Sequence, residues 1–271
     1  MNKLIITVAL TGNVPTKEMN PHVPVTVEEV VKDAQECAAL GAAVAHIHAR
    51  DEEGKPTAQR DWFKAIVEGM DAAGLDMIKQ LSTGARAGEN TIEWRGQMLD
   101  LPVEMASLTT GSANFPNMVN ANAPDLVEAL AKKMKENGIK PELEVFDAAM
   151  INNAVYLHKK GLVDAPLHFN FVMNVGGSLP GNPKNLTFLY DSLPAGSSWT
   201  VSGIGRSQVQ MITMGIAMGG HVRTGLEDVL EYEKGVPATN AMLVERVVKI
   251  ANAVGREIAT PAEAREMLGL K

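Results

Sequence analysis

Eight times along this chain a short run rich in β-branched and small apolar residues gives way to a longer stretch with helical spacing. That alternation constrains the fold more than any other feature. Runs at 4–10, 43–50, 77–81, 103–108, 141–146, 167–173, 198–202 and 220–223 read as strands. The stretches at 26–40, 62–73, 91–99, 125–137, 147–160, 184–193, 208–218 and 240–254 read as helices, and a helical tail occupies 261–268. Thr26 followed by Glu29 is a capping-box signature opening the first helix, and Gly41, Gly74 and Gly138 stand where helices stop. Strands separated by helices pair in parallel, and eight such units close into a (β/α)8 TIM barrel of the α/β class. A chain of 271 residues suits one such barrel, of about 250 residues, as well as two small domains. No strong break in composition marks a boundary, so a single domain over 1–271 is expected. The competing α/β arrangement is an open, doubly wound sheet. Its glycine-rich turn from first strand into first helix is weak here, because Thr11-Gly12-Asn13 leads into a long loop punctuated by proline.

Charge and cysteine content narrow the function classes. A net charge of -7 disfavours broad nucleic-acid binding, so any anionic ligand must be held by a local basic group. The one cysteine, Cys37, lies inside the first amphipathic helix, which leaves no internal disulfide and points to a reducing compartment. No apolar run approaches the roughly 18 to 20 residues of a membrane span. Lys3 ahead of an apolar run imitates a signal peptide, but that run is short and lacks a persuasive cleavage site. A cytoplasmic enzyme without membrane or nucleic-acid partners is the expectation.

A parallel barrel keeps its chemistry at the carboxyl ends of its strands. The second strand ends in His46-Ile47-His48-Ala49-Arg50. Alternate side chains of a strand share a face, so His46 and His48 point the same way, as a metal-binding edge or as two ordinary histidines, one hydrogen-bonded in the core. The other strand ends bring Thr11, Ser82, Ser107, Thr109, Glu144, Arg223, Glu227 and Asp228 towards the same mouth. A catalytic Zn²⁺ site needs a third protein ligand besides two histidines and keeps one position open. Glu227, just after the eighth strand and therefore next to the first in a closed barrel, completes a His-His-Glu set. Arg223 and Asp228 flank it, either as a catalytic pair or as a solvated ion-pair cluster. The loops Ser82-Thr83-Gly84-Ala85 and Thr109-Thr110-Gly111-Ser112 share small hydroxyl and glycine residues, and the glycine-rich stretch 174–183 is a candidate binding loop or lid.

These pieces resemble, in order and over essentially the whole chain, those of the β-keto acid cleavage enzymes, typified by the 3-keto-5-aminohexanoate cleavage enzyme of lysine fermentation. The resemblance is carried by Ala9-Leu10-Thr11-Gly12, His46-Ile47-His48-Ala49-Arg50, Ser82-Thr83-Gly84, Asn182-Pro183-Lys184-Asn185-Leu186, Gly203-Ile204-Gly205-Arg206 and the run from Gly219 to Asp228. It implies a zinc-dependent TIM barrel in which a β-keto acid and acetyl-CoA give acetoacetate and the CoA thioester of the shortened acid. It makes His46, His48 and Glu227 the Zn²⁺ ligands, Asp228 the general base and Arg223 its orienting partner. Ser82, Thr83, Gly84, Ser107 and Thr109 would bind the substrate carboxylate or carbonyl, although family members often carry Thr and Asn at the positions of Ser107 and Thr109. The members that act on 3-keto-5-aminohexanoate have a glutamate, which receives the substrate's ammonium group, where this chain has Val14. Burying an ammonium without a carboxylate costs several kcal/mol. Unless Glu144 substitutes, a neutral or apolar β-keto acid is expected. Arg206 and Lys184 are candidates for the CoA phosphates, or ordinary solvated charges, and by analogy with the family the chain forms a homodimer or homotetramer.

Two other readings fit the His-x-His barrel before its geometry is known. One is an amidohydrolase-like hydrolase that activates water on the metal, although such barrels usually carry His-x-His on the first strand and further histidines on later ones. Here the remaining strand histidines are His168 and His221. The other is a barrel that binds a small acid without turning it over.

Overall fold

The computed structural model describes residues 2–84 and 86–270. Eight parallel strands form a closed barrel: β1 (Ile6–Ala9), β2 (Val44–Ile47), β3 (Ile78–Leu81), β4 (Met105–Thr109), β5 (Lys140–Val145), β6 (His168–Met173), β7 (Ser198–Gly203) and β8 (His221–Thr224). They follow one another around the barrel in chain order, and β8 pairs with β1 to close it, Thr7 standing opposite Arg223. The helices are α1 (Val27–Ala39), α2 (Arg60–Ala72), α3 (Ile92–Arg95), α4 (Pro124–Glu136), α5 (Ala148–Lys159), α6 (Pro183–Asp191), α7 (Gln208–Ala217), α8 (Asn240–Ala253) and α9 (Pro261–Leu268). None is long and apolar enough to cross a membrane. The capping box expected at α1 is formed, Glu29 N–H donating to Thr26 Oγ1 and Thr26 N–H to Glu29 Oε2.

Each strand has two unlike faces. Ile6, Val8, Ala45, Ile47, Leu81, Leu108, Leu143, Phe169, Phe171 and Val201 pack outward against the apolar stripes of the helices in one large cluster. The alternate positions point into the barrel and are largely polar: Thr7, His46, Gln80, Ser107, Glu142, His168, Asn170, Thr200, Ser202 and Arg223 are all buried. Several of them hydrogen-bond to one another, which lowers the cost of their burial. Asn170 Nδ2 donates to Glu142 Oε1 at 3.1 Å, Ser202 Oγ donates to Asn170 Oδ1 at 2.8 Å, and His168 shares hydrogen bonds with Ser198 and Thr200. The amino-terminal end of the barrel is dry instead. There Ala264 and Leu268 of α9 pack on Ile5, Val44, Ile78 and Met105, so the helical tail is the plug that seals the bottom.

Short antiparallel hairpins follow β2, β4 and β8 at the barrel mouth: the first takes up Ala49–Arg50, expected as the end of the second strand, and the other two fall in stretches read as loops. Ala49–Arg50 pairs with Pro56–Thr57, Ala113–Phe115 with Met118–Asn120, and Glu231–Glu233 with Val236–Pro237. Strands of two or three residues show no hydrophobic period in a sequence, which is why they read as loops. The helix expected over 91–99 is a single turn, α3, ending at Gly96.

Candidate active site

The second strand delivers its histidines as the alternation predicts, one inside β2 and one immediately after it. His46 Nε2 and His48 Nε2 lie 3.2 Å apart, and Glu227 Oε2 stands 3.6 Å from the first and 3.3 Å from the second. Glu227 reaches them from the turn after β8, across β1. That approach needs Gly12, which has φ +66 and whose absent Cβ would lie 2.5 Å from Glu227 Cγ. Gly225 is constrained in the same way: at φ +148, a Cβ there would lie 2.1 Å from the Ala9 carbonyl oxygen.

The far side of each imidazole fixes its tautomer. His46 Nδ1 lies 2.6 Å from Gln80 Oε1, and His48 Nδ1 lies 2.9 Å from Asn13 Oδ1, both carbonyl-type acceptors. With each Nδ1–H donating outward, both Nε2 lone pairs face inward. Burial pushes His46 down to about 4, which keeps it neutral. Glu227 Oε2 is buried and accepts no hydrogen bond. Two nitrogen lone pairs and a carboxylate oxygen thus converge on one point with no proton among them, and this donor set fits a divalent cation such as Zn²⁺. The partners beyond the ligands are of the kind that orient metal-binding histidines.

Arg223 organises the carboxylates. Its Nη2 donates to Glu227 Oε1 and Asp228 Oδ1, each at 2.7 Å, its Nε to Asp228 Oδ2 at 3.1 Å, and its Nη1 to Glu144 Oε1 at 3.5 Å. Burial acts to raise Glu227, but the Arg223 charge outweighs it and holds the carboxyl well below the usual range. Asp228 moves the other way: burial, with Glu227 beside it, lifts it above the ordinary carboxylate value although Arg223 opposes the rise. Burial raises Glu144 to about 7, again against Arg223. Thr109 Oγ1 donates to Glu144 Oε2 at 2.8 Å.

These groups open onto an inner cavity of about 220 Å³ lined by His46, His48, Ser82, Gly84, Thr109, Glu144, Arg223, Glu227, Asp228 and Val14, with Arg86, Phe115 and Asn120 along another wall. Two residues expected to touch substrate do not line it. Thr83 Oγ1 donates to the Ser107 carbonyl, and Thr83 N–H lies 3.4 Å from Ser107 Oγ, so Thr83 and Ser107 tie the ends of β3 and β4 together beneath the cavity. Ala85, assigned to the same loop from sequence, lies outside the described residues. A second, more open cavity of about 540 Å³ adjoins the first, sharing Val14, Pro15, Ile204, Glu227 and Asp228, and carries Arg206, Lys234 and Arg246. Lys184 lines neither cavity.

Two buried arginines hold the loops that shape the site. Arg50 Nη2 donates to the Gly12 and Pro15 carbonyls, each at 2.7 Å, which fixes Asn13 and Val14 between them. Arg95 Nε donates to the Thr83 carbonyl at 2.6 Å while its Nη2 reaches Asn122 at 2.7 Å, fastening the loop after β3 to the hairpin after β4. These roles, and those of Asn13, Gln80 and Arg86, were not assigned from sequence. For Gln80 a signal existed, since it is the alternate residue before Ser82 on a strand adjacent to His46.

The profile of the β-keto acid cleavage enzyme family matches residues 3–270. This chain belongs to that family. It is 48% identical to the 3-keto-5-aminohexanoate cleavage enzyme of Acetoanaerobium sticklandii over 272 residues, covering 100% of this chain and 99% of the relative. It is 43% identical to the 3-oxoadipate:acetyl-CoA acetyltransferase of Cupriavidus necator over 270 residues, covering 98% and 94%. Among solved structures, the ternary complex of ObcA with a C4-CoA adduct and oxalate matches with a TM-score of 0.80 at 23% identity, covering 92% of this chain and 68% of that one, a likeness of fold. Members of the family are enzymes, and the β-keto acid cleavage expected from the motifs stands at the level of the reaction class.

Proposed function

We propose that this enzyme cleaves a β-keto acid with acetyl-CoA, giving acetoacetate and the CoA thioester of the shortened acid. The observation that carries the reading is the placement of Asp228: a buried carboxylate, held through both oxygens by Arg223, next to a three-donor cation site inside one cavity. His46, His48 and Glu227 would hold Zn²⁺, which when bound supplies Lewis-acid charge that acidifies the proton between ketone and carboxylate. Asp228, made more basic by burial, takes that proton from C2 of the substrate, and Arg223 keeps it aimed and balances its charge. Ser82, Gly84 and Thr109 on the cavity wall orient the substrate's oxygens. The carbanionic C2 attacks the thioester carbonyl, CoA thiolate passes within the adduct to C3, and the C2–C3 bond breaks. C2 leaves with the acetyl group as acetoacetate, C3 leaves as the new thioester, and Asp228 returns the proton.

The outer cavity, with Arg206 on its wall, is the route by which acetyl-CoA reaches Asp228, since both cavities share that residue. We place the enzyme in the cytoplasm, in keeping with a single buried cysteine and no disulfide. Nothing in the site favours a hydrolase, because His168 and His221 lie inside the barrel on Ser198 and the Ile5 amide rather than among the cation donors. The deciding experiment incubates the purified protein with acetyl-CoA and a panel of β-keto acids and follows acetoacetate and new acyl-CoA by mass spectrometry. Paired appearance of both products supports the reading; free CoA without acetoacetate defeats it.

A further inference from the structure

Of the two arginines that line the inner cavity, Arg223 and Arg86, the reaction above leaves Arg86 without work. It follows the loop after β3, and its guanidinium carbon lies over the Phe115 ring, 4.4 Å from the centroid, on the cavity wall. Phe115 is itself braced edge-on by Phe146. A guanidinium stacked on a ring keeps its in-plane N–H groups free for an acceptor. Among the described residues Arg86 makes neither an ion pair nor a hydrogen bond with a protein acceptor, and its Nε is fully buried without a partner. The cavity's own carboxylates are committed elsewhere, Glu144, Glu227 and Asp228 all being bound to Arg223.

Arg86 is half-buried and forms no ion pair among the described residues, and burial lowers its pKa from the ordinary value although the Glu227 charge opposes the fall. Such a charge is retained at low cost only where a ligand completes it. Val14, on the same cavity, removes the carboxylate that could have neutralised Arg86 or received an ammonium group. Arg86 and Phe115 therefore make part of the cavity lining cationic and aromatic, not neutral. This revises the tail expected from Val14 alone.

Resting on the proposed cleavage reaction, we propose that Arg86 receives a second carboxylate at the distal end of the substrate, so that the preferred substrate is a β-keto dicarboxylic acid. The carboxylate meets the in-plane N–H groups of Arg86 in a charge-assisted, bidentate contact. The product leaving on CoA is then the half-thioester of a dicarboxylic acid, and acetoacetate is the co-product.

The test compares three substrates with acetyl-CoA: 3-oxoadipate, 3-oxohexanoate (the same chain ending in a methyl group) and 3-keto-5-aminohexanoate. Wild type is expected to favour 3-oxoadipate by at least tenfold in kcat/KM over each of the others. Arg86→Met is expected to lower kcat/KM for 3-oxoadipate by about 10²-fold, the scale of a lost hydrogen-bonded charge pair, while leaving 3-oxohexanoate within about threefold. Arg86→Lys should recover part of the loss, and circular dichroism checks that each variant is folded. An equal fall with both substrates would overturn the assignment, placing Arg86 on the shared carboxylate or on CoA, as would a wild-type preference for the methyl or amine compound. If none of the three is turned over, the cleavage reading itself fails. Calorimetric binding of 3-oxoadipate against 3-oxohexanoate, to wild type and to Arg86→Met, then decides the Arg86 assignment alone, a missing difference between them overturning it.

Discussion

His46→Ala and His48→Ala are each expected to abolish stoichiometric zinc in the purified protein, because either leaves only two protein donors. Undiminished zinc by metal analysis would remove these residues from the ligand set. Asp228→Asn keeps the shape of the carboxylate and should retain metal and fold while turnover falls by about 10²-fold or more, measured as acetoacetate formation. Glu144 offers a pH test in the metal-free protein. Its carboxyl is raised to about 7, so the folded state holds a proton there that the unfolded chain has already released above the ordinary carboxylate range. Stability is therefore lost as pH rises through about 7, and Glu144→Gln removes that loss. The variant's melting temperature should gain on wild type more at pH 8 than at pH 5; a gain confined to pH 5 would show the opposite sign. Sequence made the converging His46, His48 and Glu227 and the neighbouring Asp228 legible because His-x-His and the Arg223, Glu227, Asp228 cluster are chemically unusual residues at strand ends. Arg86 and Asn13 were silent, since one arginine or asparagine in a loop looks like any solvated residue until its neighbours are known. Thr83 and Ser107 misled for the converse reason: a hydroxyl at a strand end fits a ligand contact and a backbone tie equally well.

At the scale of elements, period and caps told most of the story. α1, α4, α8 and α9 begin and end within a residue or two of the expected 26–40, 125–137, 240–254 and 261–268. The mouth hairpins were not legible, being too short to show a period. The plug is a case in which element and barrel share one core. Leu268, 1% exposed, shares one apolar cluster with Ile5, Val44, Ile78 and Met105 at the starts of the four neighbouring strands β1 to β4, so Leu268→Ala is expected to cost about 2 to 5 kcal/mol in a denaturant titration. A cost under about 0.5 kcal/mol would mean that α9 rests on the barrel without sealing it.

For the molecule as a whole, the eightfold alternation was enough to name the closed barrel, since each β/α unit repeats one packing rule. Surface association was not legible in the same way, and the shape now adds detail to it. Phe188 and Tyr190 on α6 and Met118 and Val119 at the tip of the second mouth hairpin are exposed apolar side chains. Light scattering at micromolar concentration is expected to give a dimer or tetramer, and a monomer would refute assembly through these faces. The three cation donors come from β2 and from the turn after β8, near opposite ends of the chain, and meet only because β1 stands between them. A ribosome releasing this polypeptide from its amino terminus exposes the paired histidines early, and they have no carboxylate to meet until nearly all of the chain has emerged and the last strand has docked. Contacts of such high sequence separation form late, because the entropy of closing the intervening loop is lost before they can form. Completion of the candidate donor triad is thereby tied to the final event of assembly, so a prematurely terminated chain is deprived of the site as well as of structure.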